Sequence, residues 1–187
     1  NCGNLETVEF GPNLKTIGHH AFSECIALKI LNIPDSVQTI GKNAFYHNTA
    51  LASVSFGTGL TAIDECAFYN CSELQTVEFR EFDTPILTIF EFAFANAVKL
   101  TTLKFSESLK TINYGAFSDC TALETLTLPD SLTVIAGPDG YSYNGAFANC
   151  TALKSVKFGS GLVTIGNGTA STHTSNTKTG AFSNCDN

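Results

Sequence analysis

The side chains in this 187-residue chain best equipped for metal, redox or nucleophilic chemistry are seven cysteines and four histidines. Their spacing supports little of it. No Cys-x-x-Cys pair occurs, which removes zinc-ribbon and thioredoxin chemistry. His19-His20 and His47 lie on successive units, and two adjacent histidines make a poor metal site beside the usual four-ligand sets; a solvated pair is the expectation. There is no Gly-x-Ser-x-Gly elbow, no His-Glu-x-x-His, no phosphate-binding Gly-Lys-Ser loop and no Gly-x-Gly-x-x-Gly after a strand. The expectation is therefore a chain that is not an enzyme, with no catalytic, cofactor-binding or metal-ligating residues.

Six of the cysteines fall instead into a frame that organises the whole sequence. An Ala-Phe pair recurs seven times, at Ala21-Phe22, Ala44-Phe45, Ala67-Phe68, Ala93-Phe94, Ala116-Phe117, Ala146-Phe147 and Ala181-Phe182. The spacings are 23, 23, 26, 23, 30 and 35 residues, a basic unit of 23 with three insertions. A fixed period of this length marks a stacked solenoid. Three residues after each Phe stands a cysteine (Cys25, Cys71, Cys120, Cys150, Cys185) or its substitute, Asn48 or Ala97, and Cys2 begins the series. A position that accepts Cys, Asn or Ala needs a small, partly buried residue, so a stacked ladder of free thiols is the preferred reading. Adjacent coils about 5 Å apart also fall within disulfide range, which leaves Cys120–Cys150 and Cys150–Cys185 open as bridges. Cys66 lies outside the ladder.

The elements that position these residues follow from the same alignment. About a dozen residues before each pair comes Leu-x-x-Leu/Val-x-hydrophobic, as in Leu28/Leu31/Ile33 or Leu74/Val77/Phe79, whose alternation predicts a short strand with one buried face. A turn follows, such as Pro34-Asp35-Ser36 or Gly57-Thr58-Gly59. A second apolar pair comes next, as in Val37/Ile40 or Leu60/Ile63, and the Ala-Phe pair then suits a single helical turn. One coil cannot bury its apolar side alone, so coils must stack around a shared core with the Phe residues as its column.

The frame Leu-x-x-Leu-x-Leu-Pro-x-x-Leu-x-x-Ile-Gly-x-x-Ala-Phe-x-x-Cys resembles the BspA-like, or Treponema-type, class of leucine-rich repeats. The second unit shows it best: Leu28, Leu31, Ile33, Pro34, Val37, Ile40, Gly41, Ala44 and Phe45, with Asn48 where Cys is usual. The resemblance covers essentially the whole chain. It implies a right-handed, β-rich leucine-rich-repeat solenoid with short helical turns and about seven stacked 23-residue coils. It further implies a surface or secreted protein of bacteria or certain protists, associated with adhesion to host proteins or other cells.

Composition agrees with that class. Hydrophobic residues make up 43%, enough for a sizeable core, and the net charge of −7 with Arg80 as sole arginine argues against nucleic acid as a partner. An anionic membrane surface is disfavoured for the same reason. No run of about 18 apolar residues predicts a membrane-spanning helix, and no signal peptide is visible. The expected organisation is a single leucine-rich-repeat domain over 1–187, cut from a longer array because both ends fall in mid-frame and solenoids need end caps.

Binding residues are expected in two places. The outward positions of the strands line the surface such proteins use: Thr7/Glu9, Ile30/Asn32, Ser53/Ser55, Thr76/Glu78, Thr102/Lys104, Thr125/Thr127 and Ser155/Lys157. They read as a shallow, polar Thr/Ser ladder. The second place is the insertions: one at about 80–85 lengthens a turn, and those at 136–145 and 166–180 should lie side by side as loops on one edge. Tyr141 and Tyr143 would be exposed aromatics in a Gly-rich loop, a composition suited to protein or sugar contact. Tyr46 and Tyr69 share a frame position and read as surface filler. Sequons occur at Asn70, Asn149 and Asn167; the first two abut ladder cysteines and read as accidental. The functional expectation is a cell-surface or secreted adhesion module for an extracellular or host-surface protein. An inert spacer or stalk, or a weak carbohydrate-binding module, stands as the alternative.

Overall fold

Two to four alternating residues are too few to make a stable strand pair by themselves, so each segment takes its partners from the repeats before and after it. The computed structural model describes residues 2–80, 87–137, 144–166 and 180–185. Its strands are β1 (Thr16–Ile17), β2 (Ile30–Ile33), β3 (Thr39–Ile40), β4 (Ser53–Phe56), β5 (Ala62–Ile63), β6 (Thr76–Phe79), β7 (Leu87–Ile89), β8 (Thr102–Lys104), β9 (Leu109–Ile112), β10 (Thr125–Thr127), β11 (Val134–Ile135), β12 (Ser155–Lys157) and β13 (Thr164–Ile165). The odd-numbered strands form one seven-stranded parallel sheet in chain order. The even-numbered strands, from the Leu-x-x-Leu-x-hydrophobic segments, form a four-stranded sheet, β2-β4-β6-β8, and a separate two-stranded sheet, β10-β12.

Register follows the repeat: Leu31 lies opposite Val54, Val54 opposite Val77, and Val77 opposite Leu103. The chain is thus a parallel β-solenoid. Seven repeats supply the first face but only six supply the second, because Val8-Glu9-Phe10 is not a strand. The number of coils with both strands is therefore slightly below the seven expected.

The Ala-Phe segments are not helical turns, and no helix occurs among the described residues. Residues two before and two after the Phe take positive φ in successive coils: His20 and Glu24, Asn43 and His47, Cys66 and Asn70, Phe92 and Asn96, Gly115 and Asp119. The N–H groups between them close tight turns, as in Ala44 N–H to the Gly41 carbonyl (3.1 Å) and Tyr46 N–H to the Asn43 carbonyl (3.2 Å). Alternate N–H groups point along the stack: Asn43 to the Glu65 carbonyl (3.1 Å), Phe45 to Ala67 (2.7 Å) and His47 to Tyr69 (2.9 Å). A helical turn would keep those donors within its own coil. The left-handed residues release them, giving a third hydrogen-bonded face.

The core is the expected aromatic column. Phe22, Phe45, Phe68, Phe94, Phe117, Phe147 and Phe182 stack as parallel, offset rings with centroids 5.0–5.3 Å apart. A second set from the strand ends meets the column edge-on, with Phe56 against Phe68 and Phe105 against Phe117 at interplanar angles of 81°. Both geometries are the favourable ones for aromatic pairs. The turn glycines follow from close coil approach: a Cβ on Gly57 would lie 2.4 Å from the Asp35 nitrogen. Most residues of the expected insertions, including Tyr141, Tyr143 and Asn167, lie outside the described residues.

Candidate binding surface

Outward positions of the even-numbered strands form two rows running along the stack. The first places Ile30 beside Ser53, Thr76 and Thr102; the second places Asn32 beside Ser55, Glu78 and Lys104. Beyond the sheet break the rows continue as Thr125 beside Ser155 and Thr127 beside Lys157. Neighbours in the second row bond one another: Ser55 Oγ donates to Asn32 Oδ1 (2.8 Å), and Lys104 Nζ donates to Glu78 Oε1 (2.7 Å). Thr7 and Glu9 are exposed but lie outside any strand. The expected strand residues from Ile30 to Lys157 are thus aligned in rows, whereas Thr7 and Glu9 are not, and Tyr141 and Tyr143 lie outside the described residues. The aligned rows form two patches instead of one, and Ile30, 60% exposed, adds an apolar element to an otherwise polar surface.

The break between patches is the feature that repeat reading missed. Strands β8 and β10 belong to successive repeats, yet they do not pair, while β9 and β11 of the same repeats remain bonded on the other face. An open groove of about 610 Å³ lies at this break, lined by Phe79, Leu103, Lys104, Phe105, Thr125 and Thr127 among others. Leu103 is half-buried there, whereas its counterparts Leu31, Val54 and Val77 are sealed.

The chemically equipped residues serve packing. None of the seven cysteines is joined in a disulfide. Four of the ladder thiols donate to the carbonyl of a preceding-coil Phe: Cys71 to Phe45 (3.5 Å), Cys120 to Phe94 (3.6 Å), Cys150 to Phe117 (3.4 Å) and Cys185 to Phe147 (3.2 Å). Asn48 replaces that bond by accepting the Cys25 N–H at 2.9 Å. Burial pushes the Cys71 thiol up to about 12 and raises Cys25 and Cys120 as well. A hydrogen bond with Cys185, then burial, raises Cys150. Cys66 is pushed up to about 11 by burial and then by the Glu65 carboxylate. Thiols held in the protonated form are poor nucleophiles and poor metal ligands.

Two of the histidines, His20 and His47, are hydrogen-bonded between coils. Asn43 Nδ2 donates to His20 Nε2 (3.3 Å), and Asn70 Nδ2 donates to His47 Nδ1 (3.4 Å). Asn149 Nδ2 donates to Asp119 Oδ1 (2.8 Å), so two of the three sequon amides are tied into the stack. Tyr46 and Tyr69 stack at 5.4 Å, and His47 lies 4.2 Å from Tyr46. No helix among the described residues is long and apolar enough to cross a membrane.

Stacked 23-residue coils with parallel strand faces and an inward Phe column define a leucine-rich-repeat protein. The model of the BspA type leucine rich repeat region matches residues 1–86 and 79–184 in six copies, and the chain belongs to that family. Among solved structures it is similar to a leucine-rich repeat protein of T. pallidum, at 28% identity with a TM-score of 0.65, over 78% of this chain and 67% of that one. It is also similar to a leucine-rich repeat protein of Eubacterium ventriosum, at 25% identity with a TM-score of 0.60, over 86% of this chain and 37% of that one. The pneumococcal vaccine antigen PcpA shares the fold at 24% identity with a TM-score of 0.51, over 79% of this chain and 43% of that one. No curated protein matches it.

Proposed function

We propose that the chain is a non-enzymatic recognition module that binds an extracellular protein through its strand face, and that it is displayed on a cell surface or secreted. The observation that carries this reading is the polar rows themselves, Ser53-Thr76-Thr102 and Ser55-Glu78-Lys104. They form a broad, in-register polar face, hydroxyl-rich in the first row and carrying the Glu78–Lys104 pair in the second. Individual contacts on such a face are weak, and affinity comes from many acting together. Family membership supports the reading of a repeat module, and the surface or secreted placement that the BspA-like resemblance implies supports its location. A spacer is the second reading, favoured by one observation: several polar groups on the face already satisfy one another.

The test measures binding of the folded chain to a panel of matrix and serum proteins by biolayer interferometry, with a Ser53→Arg/Thr76→Arg variant as comparison. At least one partner is expected to bind, and the variant to bind it at least tenfold more weakly with an unchanged circular dichroism spectrum. Silence across the panel, or binding indifferent to the variant, would leave the spacer.

A further inference from the structure

We propose that two pairs of ladder thiols, Cys2 with Cys25 and Cys150 with Cys185, are sites of disulfide formation, oxidised by a low-molecular-weight disulfide such as oxidised glutathione and stapling neighbouring coils together. The inference rests on the surface or secreted placement proposed above only for where it operates, since such bridges persist in oxidising surroundings.

Stacking brings the partners within bridging reach. Phe147 and Phe182, each three residues before its cysteine, have ring centroids 5.2 Å apart. Asn149 and Asn184, each directly before its cysteine, are bonded side chain to side chain (3.0 Å), and the Asn149 N–H donates to the Ser183 carbonyl (2.8 Å). Cys150 and Cys185 are thus one coil spacing apart, about 5 Å, which lies inside the Cα range of disulfides. Their thiols already hydrogen-bond each other. The other pair has the same setting. The Leu5 N–H closes a turn on the Cys2 carbonyl (2.9 Å), as the Leu28 N–H does on the Cys25 carbonyl (3.1 Å). A Cβ on Gly3 would meet the Ile26 side chain at 3.8 Å, so the residues after the two cysteines also face each other across the coils. Here too the thiols hydrogen-bond each other.

Neighbours and access select these pairs. Asn48 and Ala97 stand on either side of Cys71 in the ladder, which leaves it no ladder thiol one coil away. Cys120 has Ala97 on one side and Cys150 on the other, and Cys150 can bond only one sulfur. Cys120 is fully buried and its thiol donates to the Phe94 carbonyl, whereas Cys185 is partly exposed. A dissolved oxidant therefore reaches Cys185 and not Cys120. In the same way Cys2 is exposed and Cys25 buried. Each pair joins an accessible thiol to a sealed one. The accessible sulfur, as its thiolate, first displaces one glutathione thiolate and becomes a mixed disulfide. The sealed sulfur then gives up its proton, attacks the accessible cysteine's sulfur and releases the second glutathione. Two cysteine thiols and one oxidised glutathione become one protein disulfide and two reduced glutathiones. The sealed sulfurs are held protonated, by burial at Cys25 and by the Cys185 hydrogen bond at Cys150, which makes this second step the slow one.

The experiment incubates the folded, reduced 187-residue chain with excess oxidised glutathione at mildly alkaline pH. Remaining thiols are then blocked with N-ethylmaleimide in denaturant, and linkages are mapped by chymotryptic digestion and mass spectrometry. The expected product carries Cys2–Cys25 and Cys150–Cys185, with Cys66, Cys71 and Cys120 blocked. A cross-link restrains the unfolded chain, so the oxidised form should melt at least about 5 °C above the reduced form. Cys2→Ser should abolish the first linkage and Cys185→Ser the second, each removing only its own share of that rise. Either pair remaining reduced, glutathione retained on Cys2 or Cys185, a wild-type bridge to Cys66, Cys71 or Cys120, or a melting temperature indifferent to oxidation overturns the proposal. Bridges formed by a chain that binds nothing in the protein panel would remove the recognition reading alone. Panel binding by a chain that forms no bridges would remove the staples alone.

Discussion

A phenylalanine held between two parallel rings leaves, when truncated, a hole that neither neighbour can fill without breaking its own stack. Phe94 lies 5.1 Å from Phe68 and 5.1 Å from Phe117, is met edge-on by Phe56, and is fully buried. Phe94→Ala is therefore expected to cost about 3–5 kcal/mol. Phe22 has a stacked neighbour on one side only, Phe45, and is half-buried, so Phe22→Ala should cost clearly less. Urea unfolding of both variants checks this; equal losses would mean that the rings are interchangeable apolar bulk. The same scale accounts for the residues flanking the column. Asn70, Asn96, Asp119, Asn149 and Asn184 occupy the left-handed position two residues after Phe, a conformation in which Asn and Asp are enriched. Their side chains then bond along the stack, as Asn184 Nδ2 does to Asn149 Oδ1 (3.0 Å).

Among elements, the turns show how one coil prepares the next. Asp35 Oδ1 accepts the Thr58 N–H (3.0 Å) and Asp130 Oδ1 accepts the Ser160 N–H (2.7 Å), each a carboxylate of a Pro-Asp-Ser turn capping the turn that follows. The Ser160 backbone N–H holds the Asp130 carboxyl below its usual value of 3.8. A depressed folded-state value stabilises the fold above the unfolded value, and that contribution disappears as pH falls through the folded one. Wild type should thus exceed Asp130→Asn in melting temperature at pH 7 and pH 5, with the gap closing only below about pH 3.8. A gap constant from pH 7 to pH 2 would show that the charge plays no part.

These elements were unequally legible in the sequence. The strands were readable because Leu, Val and Phe recur at fixed offsets in every unit. The Ala-Phe turns were misread as helical because their apolar spacing suits either conformation. The run of Asn and Asp two residues after Phe was the available signal for left-handed backbone. The break between β8 and β10 left no such mark, since Leu100/Leu103/Phe105 and Leu123/Leu126/Leu128 both keep the frame. Whether neighbouring coils close against each other on one face is a property of the stack, not of any residue type within it. The outward rows were legible as positions, while their mutual bonding depended on the register of pairs separated by 23 and 26 residues.

For the whole molecule, the consequence of a quasi-one-dimensional core is that length is adjustable only in whole periods. The described ion pairs join different coils, as Lys42–Glu65 (2.7 Å), Lys99–Glu73 (2.7 Å) and Lys154–Glu124 (3.0 Å) do. Being half-exposed, such pairs are screened by solvent and add little, so register rests on the apolar rows and ladders. Deleting residues 46–68, one complete period, joins Phe45 to Tyr69 at equivalent places and lets Phe45 stack directly on Phe94. Stability in a solenoid is close to a sum over units and their interfaces. That deletion should therefore unfold in one transition with a urea m-value lower by about one-eighth and a melting temperature lower by only a few degrees. Deleting residues 47–68 instead leaves one residue too many in the joined coil. A one-residue slip turns inward side chains outward, and the melting temperature should fall by more than about 10 °C. Similar stability of the two deletions would deny that register holds the stack together. The one-period deletion also separates the two functional readings. It removes Ser53 and Ser55 while keeping the fold, so a recognition face loses affinity for its partner, whereas a spacer changes only its reach.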